Sequence, residues 1–196
     1  MSVFDFQSRG PLPDGFGPSA GRVLWRFTQA TIFGCSPVSW YGWRRWILRR
    51  FGATIGRDVR VHPSVRVQRP WMLVLDDEVC VEARAILNAA GGLHVGARTL
   101  VSQDAHLCTT NHDYRDRSMG FLACPAVVGR DCWIATDAFV GPNTRIGDGS
   151  MLAARSTAFG DLPGGMLLIG EPAKPRRPRP TSTPELASLA EFDASA

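Results

Sequence analysis

The chain has 196 residues, 22 Lys and Arg against 18 Asp and Glu, a net charge of +4 and 44% hydrophobic residues. This composition excludes a disordered chain and allows one domain with a real core. The basic residues gather at the two ends and leave no footprint for nucleic acid, and no apolar run reaches the ~20 residues of a membrane span.

Residues 1–18 are rich in Gly and Pro, lack the apolar stretch of a signal peptide, and are expected to form a flexible lead-in. The five cysteines, Cys35, Cys80, Cys108, Cys124 and Cys132, contain no CxxC pair and fit reduced thiols in the cytosol.

A helical arm is predicted over 19–53. Val23, Leu24, Phe27, Ala30 and Thr31 fall on one face at three- and four-residue steps, and Cys35-Ser36-Pro37 breaks the pattern. The second segment, 39–51, interleaves Trp40, Trp43, Trp46, Ile47 and Phe51 with Arg44, Arg45, Arg49 and Arg50. Two readings stand. In one the arm packs on the neighbouring fold or subunit with its arginines solvated. In the other 39–51 is a basic, Trp-rich helix in peripheral contact with a membrane, at the inner face of the cell envelope.

From Ile55 a six-residue period takes over. Its clearest block has Val128, Ile134, Val140, Ile146 and Leu152 in one column and Cys132, Ala138, Thr144, Ser150 and Ser156 four steps on. Six is three strand periods, so every sixth residue points to the same interior from successive short strands. Three such units close a triangular coil of roughly 18 residues, and stacked coils form a parallel β-helix. Earlier blocks start at Ile55, Leu75 and Val95. Each is two residues out of phase with the last, which predicts corner insertions at Pro70-Trp71 and Ala90-Gly91-Gly92. The β-helix is expected over 54–174, all-β and interrupted by one long loop, 108–126. Such a loop in a regular solenoid is where function is expected. A Pro- and Arg-rich tail, 175–196, follows and is expected to be mobile or extended along a neighbour.

Of the four histidines, His112 lies in the loop between Asn111 and Asp113. An imidazole with a carboxylate or carbonyl partner can act as a general base. His106 and His112 are six residues apart and His62 lies coils away. Hexapeptide-class zinc enzymes place two of their histidines about five residues apart, so no metal site is expected.

The repeats, the loop motif Cys108-Thr-Thr-Asn-His112-Asp113-Tyr114, the segment Asp131-Cys-Trp133-Ile-Ala135 and the closing Gly170-Glu-Pro-Ala-Lys174 resemble the left-handed β-helix acetyltransferases. The chain is most similar to their colanic acid (exopolysaccharide) O-acetyltransferase branch, to which Arg22-Val-Leu-Trp25 and 48–56 also correspond. The resemblance implies an acetyl-CoA-dependent transfer to a sugar hydroxyl in polysaccharide assembly, by direct attack in a ternary complex. It implies His112 as the base, with Asp113 beside it, and acceptor contacts from Glu82, Asn88, Asn111 and Tyr114. It also implies a pantetheine channel past Ala135, Thr136, Ala153 and Ala154, with Lys174 and Arg177 on the nucleotide phosphates. The implied assembly is a homotrimer with its sites between subunits.

Two departures stand out. Glu82 occupies the position where galactoside-type relatives carry an acceptor-binding Asn. Phe159-Gly160 replaces their Thr-Lys, so CoA affinity is expected to lean on Lys174, Arg176 and Arg177. A small-molecule or amino acceptor, such as an antibiotic or serine, and a non-catalytic scaffold are the alternatives.

Overall fold

The computed structural model describes residues 18–115 and 117–180. Residues 1–17 of the lead-in, Asp116 and the last sixteen tail residues lie outside the described residues. Three parallel sheets wind around one axis as a left-handed β-helix. The first face holds Thr54–Ile55, Leu73–Leu75, Leu93–Val95, Ala126–Val128, Arg145–Ile146 and Asp161–Leu162. The second runs from Arg60–Val61 up to Met166–Gly170, and the third from Arg66–Gln68 up to Thr157–Ala158.

Register follows the period. Val74 pairs with His94, His94 with Val127, and Val127 with Arg145, steps of twenty, thirty-three and eighteen residues. The extra residues all enter where the third face turns into the first: at 69–72, at 89–92, and as the long loop. The two short insertions are those expected. One branched or small apolar residue per strand points inward; on the third face these are Val67, Leu87, Leu107, Val140 and Ala158, each at most 1% exposed. Each fully buried aliphatic contributes about 1.5–3 kcal/mol over its exposed state. Non-glycine residues hold positive φ at many corners, among them Asp58, Arg84, Arg98, Asp104, Asp131 and Asp137. Several of these are also paired coil to coil, as Arg84 to Asp104 at 2.6 Å and Arg98 to Asp131 at 2.7 Å.

In the ladder, N–H groups at alternate strand positions donate to carbonyls of the coil above, as from Arg60 to Val79 and from His62 to Val81. The carbonyls of the first coil have no coil beneath them, and buried carbonyls need donors. The arm supplies these. Its helices are α1 (Pro18–Thr28) and α2 (Tyr41–Arg50), joined through a π-turn, Gln29–Phe33. Arg44 Nε donates to Val61 O at 2.6 Å, Arg45 to Val59 O at 3.1 Å, Arg49 to Ile55 O at 2.8 Å, and Trp25 Nε1 to Val67 O at 2.7 Å.

This corrects the expectation of solvated arginines at Arg44, whereas Arg49 and Arg50 are exposed. Arg44 is fully buried, while Trp40 and Trp46 are 55% and 53% exposed. On α1, too, the expected face of Val23, Leu24, Phe27 and Ala30 points outward, and Trp25 packs inward against Phe33 and Phe51. The open carbonyl edge needs donors more than it needs apolar area.

At the other end, Ala173–Pro178 folds back antiparallel on Met166–Gly170. The start of the expected tail is thus an edge strand of the chain's own second face. Arg179 fastens it by donating to Asp131 O at 2.7 Å.

Candidate active site

The loop begins after the strand His106–Cys108 and its base is clamped. Thr109 is buried, and its hydroxyl donates to Asn88 O at 2.6 Å while accepting from Gly91 N at 2.8 Å. Cys124 N donates to Thr109 O at 2.9 Å, so both ends of the loop meet at one point. A Cβ on Gly91 would lie 1.9 Å from Thr109 O, so only glycine allows this approach. Beyond the clamp, Thr110–His112 and Phe121–Ala123 pair as an antiparallel hairpin, with His112 opposite Phe121. The loop expected to be irregular therefore has a stiff stem.

His112 is exposed at the end of that stem. Its Nδ1 lies 2.7 Å from Met119 O. A carbonyl only accepts, so Nδ1 carries the hydrogen and Nε2 keeps a lone pair for an incoming proton. The Phe121 ring stands edge-on, with centroids 6.4 Å apart, and the Arg69 guanidinium lies 5.1 Å over Phe121. Burial holds the Arg69 pKa below its ordinary value, with Arg22 adding to the shift. Met119, Phe121 and Arg69 were not singled out from the sequence, because nothing in the linear order links them to His112.

The neighbouring candidates hold the loop's shape. Asn111 Oδ1 accepts from His112 N at 2.9 Å. Asp113 Oδ1 accepts from Arg115 N at 3.0 Å, so the partner on the His112 ring is the Met119 carbonyl and not this carboxylate. Tyr114 is 81% exposed. Asn88 Nδ2 donates to Thr110 Oγ1 at 3.0 Å, at the foot of the hairpin. These five candidates gather at the edge between the third and first faces.

The remaining candidates lie on another edge. Glu82 N donates to Val101 O, Ser102 N to Ile134 O, Ala135 N to Leu152 O, and Ala153 N to Leu168 O. Glu82, Ser102, Ala135 and Ala153 therefore stack coil upon coil between the second and third faces, with Thr136 and Ala154 one residue on. Lys174, opposite Ile169, continues this edge, and Arg177 lies opposite Leu167; both are exposed. Trp133 Nε1 donates to Ser102 Oγ at 2.9 Å beside it. Glu82 Oε2 accepts from Gln103 N at 3.2 Å, and Glu82 also lines a groove of about 900 Å³ with Tyr41, Arg45, Arg60, Glu78 and Cys80. A single protomer thus carries the imidazole on one edge and the small residues expected to line the channel on a different one.

The other histidines serve the fold. His62 Nδ1 accepts from Ser64 N at 3.2 Å and lies 2.8 Å from the Ser64 hydroxyl; burial, then Arg44 and Arg84, lower its pKa. His94 Nε2 is 2.9 Å from Asp76. His106 is half-buried against Phe139, and burial lowers its pKa. Among the described residues, no three His, Cys, Asp or Glu side chains are grouped to hold a metal ion.

No family model matches the chain. It is 43% identical over 164 residues, 83% of its length and 90% of the relative's, to the "Putative colanic acid biosynthesis acetyltransferase WcaF" of Escherichia coli K12, and equally to the Shigella flexneri protein of that name. Among solved structures it resembles a hexapeptide-repeat acetyltransferase, VCA0836 of Vibrio cholerae, complexed with acetyl-CoA (TM-score 0.75, 21% identity, 83% of this chain and 88% of that one). It also resembles a galactoside acetyltransferase in complex with CoA (TM-score 0.67, 18% identity, 91% and 92%). At these identities the structures speak for the fold. The extent and identity of the first match decide the family: the chain belongs to the WcaF-type, hexapeptide-repeat acetyltransferases.

Proposed function

We propose that the protein is an acetyl-CoA-dependent O-acetyltransferase acting on a sugar hydroxyl in polysaccharide biosynthesis, working in the cytosol as a homotrimer. The observation that carries this reading is the Nδ1 contact of His112 with Met119 O, which leaves Nε2 as the basic atom. Nε2 takes the hydroxyl proton as the acceptor oxygen bonds to the thioester carbonyl carbon. The tetrahedral intermediate then expels the CoA sulfur, and the imidazolium returns the proton to it. The separation of the loop and channel edges supports a site completed by a second subunit. There the His112 loop of one copy meets Ala135, Thr136, Ala153 and Ala154 of the next. Small side chains suit a thin pantetheine arm, and Lys174 and Arg177 suit the nucleotide phosphates. Glu82, Asn88, Asn111 and Tyr114 would bound the acceptor, with Asp113 shaping the turn.

The test is His112→Ala. Turnover falls by about 10²–10⁴ with CoA affinity kept; unchanged turnover rejects the assignment. One observation favours a second reading. Glu82 places a carboxylate where an amide serves galactoside-type relatives, and a carboxylate would hold an acceptor ammonium. Thiol release measured over sugars, amino sugars and serine separates the two.

A further inference from the structure

The arm presents an apolar surface that its own fold does not cover. Val23, Phe27 and Ile32 are 68%, 67% and 52% exposed, and Val38, Trp40 and Trp46 are all about half exposed. Trp43 stacks on Trp46 with ring centroids 5.2 Å apart, and its Nε1 donates to Ile32 O at 3.1 Å, which ties α2 to the π-turn. The inward side of α2 carries Arg44 beside Ile47 and Leu48, so the helix buries a guanidinium while its indoles stay at the surface. In water alone this is the costlier arrangement, since Trp has more apolar area to hide than any other side chain.

The charge around this surface has one sign. From residue 18 to residue 57 there is no Asp or Glu, whereas Arg22, Arg26, Arg44, Arg45, Arg49, Arg50 and Arg57 fall within it. Arg44, Arg45 and Arg49 donate to carbonyls of the fold; Arg26 and Arg50 stand exposed. A copy of the same face would meet arginine with arginine. A surface bearing phosphates would meet it with the opposite sign. Exposed indoles beside guanidinium groups, on helices too short to cross, suit the depth at which a bilayer changes from headgroup to chain. Among the described residues no helix is long and apolar enough to span.

We propose that this face of α1, the π-turn and α2 rests on an anionic bilayer surface. The inference does not depend on the chemistry of His112. It is tested by sedimenting the full chain with vesicles of phosphatidylcholine alone and of phosphatidylcholine mixed with phosphatidylglycerol. The protein should partition to the mixed vesicles about tenfold or more over phosphatidylcholine, and added salt should weaken that preference. Phe27→Ser with Trp46→Ser should cut the partition by a further factor of about ten while the circular dichroism and the mass in solution stay unchanged. Should that variant fold poorly, Arg26→Glu with Arg50→Glu should abolish the anionic preference instead. Absence of partition to the mixed vesicles overturns the proposal. So does partition undiminished in a folded variant. A fall in assembly mass on Phe27→Ser with Trp46→Ser also overturns it, because a second copy would then be the occupant.

Discussion

His112 and Met119 are joined by a 2.7 Å hydrogen bond from the imidazole Nδ1 to a backbone carbonyl, across the end of a two-stranded stem. The carbonyl belongs to the return limb of the loop, so ring orientation depends on the stem holding its register. Phe121, paired with His112 and edge-on to its ring, is the side chain best placed to keep it. Phe121→Ala is expected to lower kcat about tenfold, with a melting shift of no more than a few degrees because Phe121 is 47% exposed. Steady-state kinetics beside calorimetry separates the two effects.

Gly91 governs the same stem from below. Alanine there would press a methyl group against Thr109 O and the Cys124 N–H. The coil and the loop base would have to part, and His112 would move with them. Gly91→Ala is expected to cost about tenfold or more in kcat, since an ångström of misplacement is enough for such a loss. Wild-type kcat in a folded Gly91→Ala protein would show the clamp irrelevant to the site.

The two edges make a prediction about assembly. His112→Ala removes the proposed base from one edge, and Ala154→Trp, at an exposed position, would block the proposed channel on the other. Each variant alone should be inactive. If the proposed trimer forms, random co-expression of the two should recover about one quarter of wild-type activity over the whole population, since about one interface in four then pairs an intact loop with an unblocked neighbour. No recovery would mean that each copy acts alone.

Arg44 should be a stability hot spot. Its guanidinium donates to Val61 O, Ser36 Oγ, Pro37 O and Val38 O. Arg44→Met keeps the length of the side chain and removes every donor, leaving carbonyls of the arm and the first coil unsatisfied. The expected cost is about 3 kcal/mol in urea unfolding, at one to three per orphaned buried group. A change below about 0.5 kcal/mol would show that water replaces the donors.

Stability should fall with acidity in two steps. Burial depresses the pKa of His62 and His106, so the stability linked to them is present above the unfolded value near 6.5 and is lost as pH falls through their folded values. Asp77, Asp104 and Asp131 are also held low. The Arg57 backbone N–H acts first on Asp77; the Arg84 and Arg98 side chains act on the other two. Their contribution is present above about 3.9 and is lost as pH falls below it. Melting temperature against pH should therefore be flat near neutrality, decline below about 6.5 and decline again below about 4. His106→Gln should make the first decline shallower.

The sequence alone determined the β-helix, its six-residue rungs, the two short corner insertions and the loop that carries His112. A period is a local property, and an inward apolar residue every sixth position leaves few ways to fold. Only the tertiary structure decided what touches the ring. Met119 and Phe121 reach His112 through a hairpin, and Arg69 lies over Phe121 from a corner, in contacts that no spacing encodes. It also decided the division of the candidate residues between two edges, because stacking order, and not chain order, puts Glu82 beneath Ala135 and Ala153. The arm was legible as helix but not in its orientation. An end coil exposes a row of carbonyls, and on α2 Arg44, which satisfies one of them, takes the inner side with Ile47 and Leu48 while Trp43 and Trp46 stay at the surface.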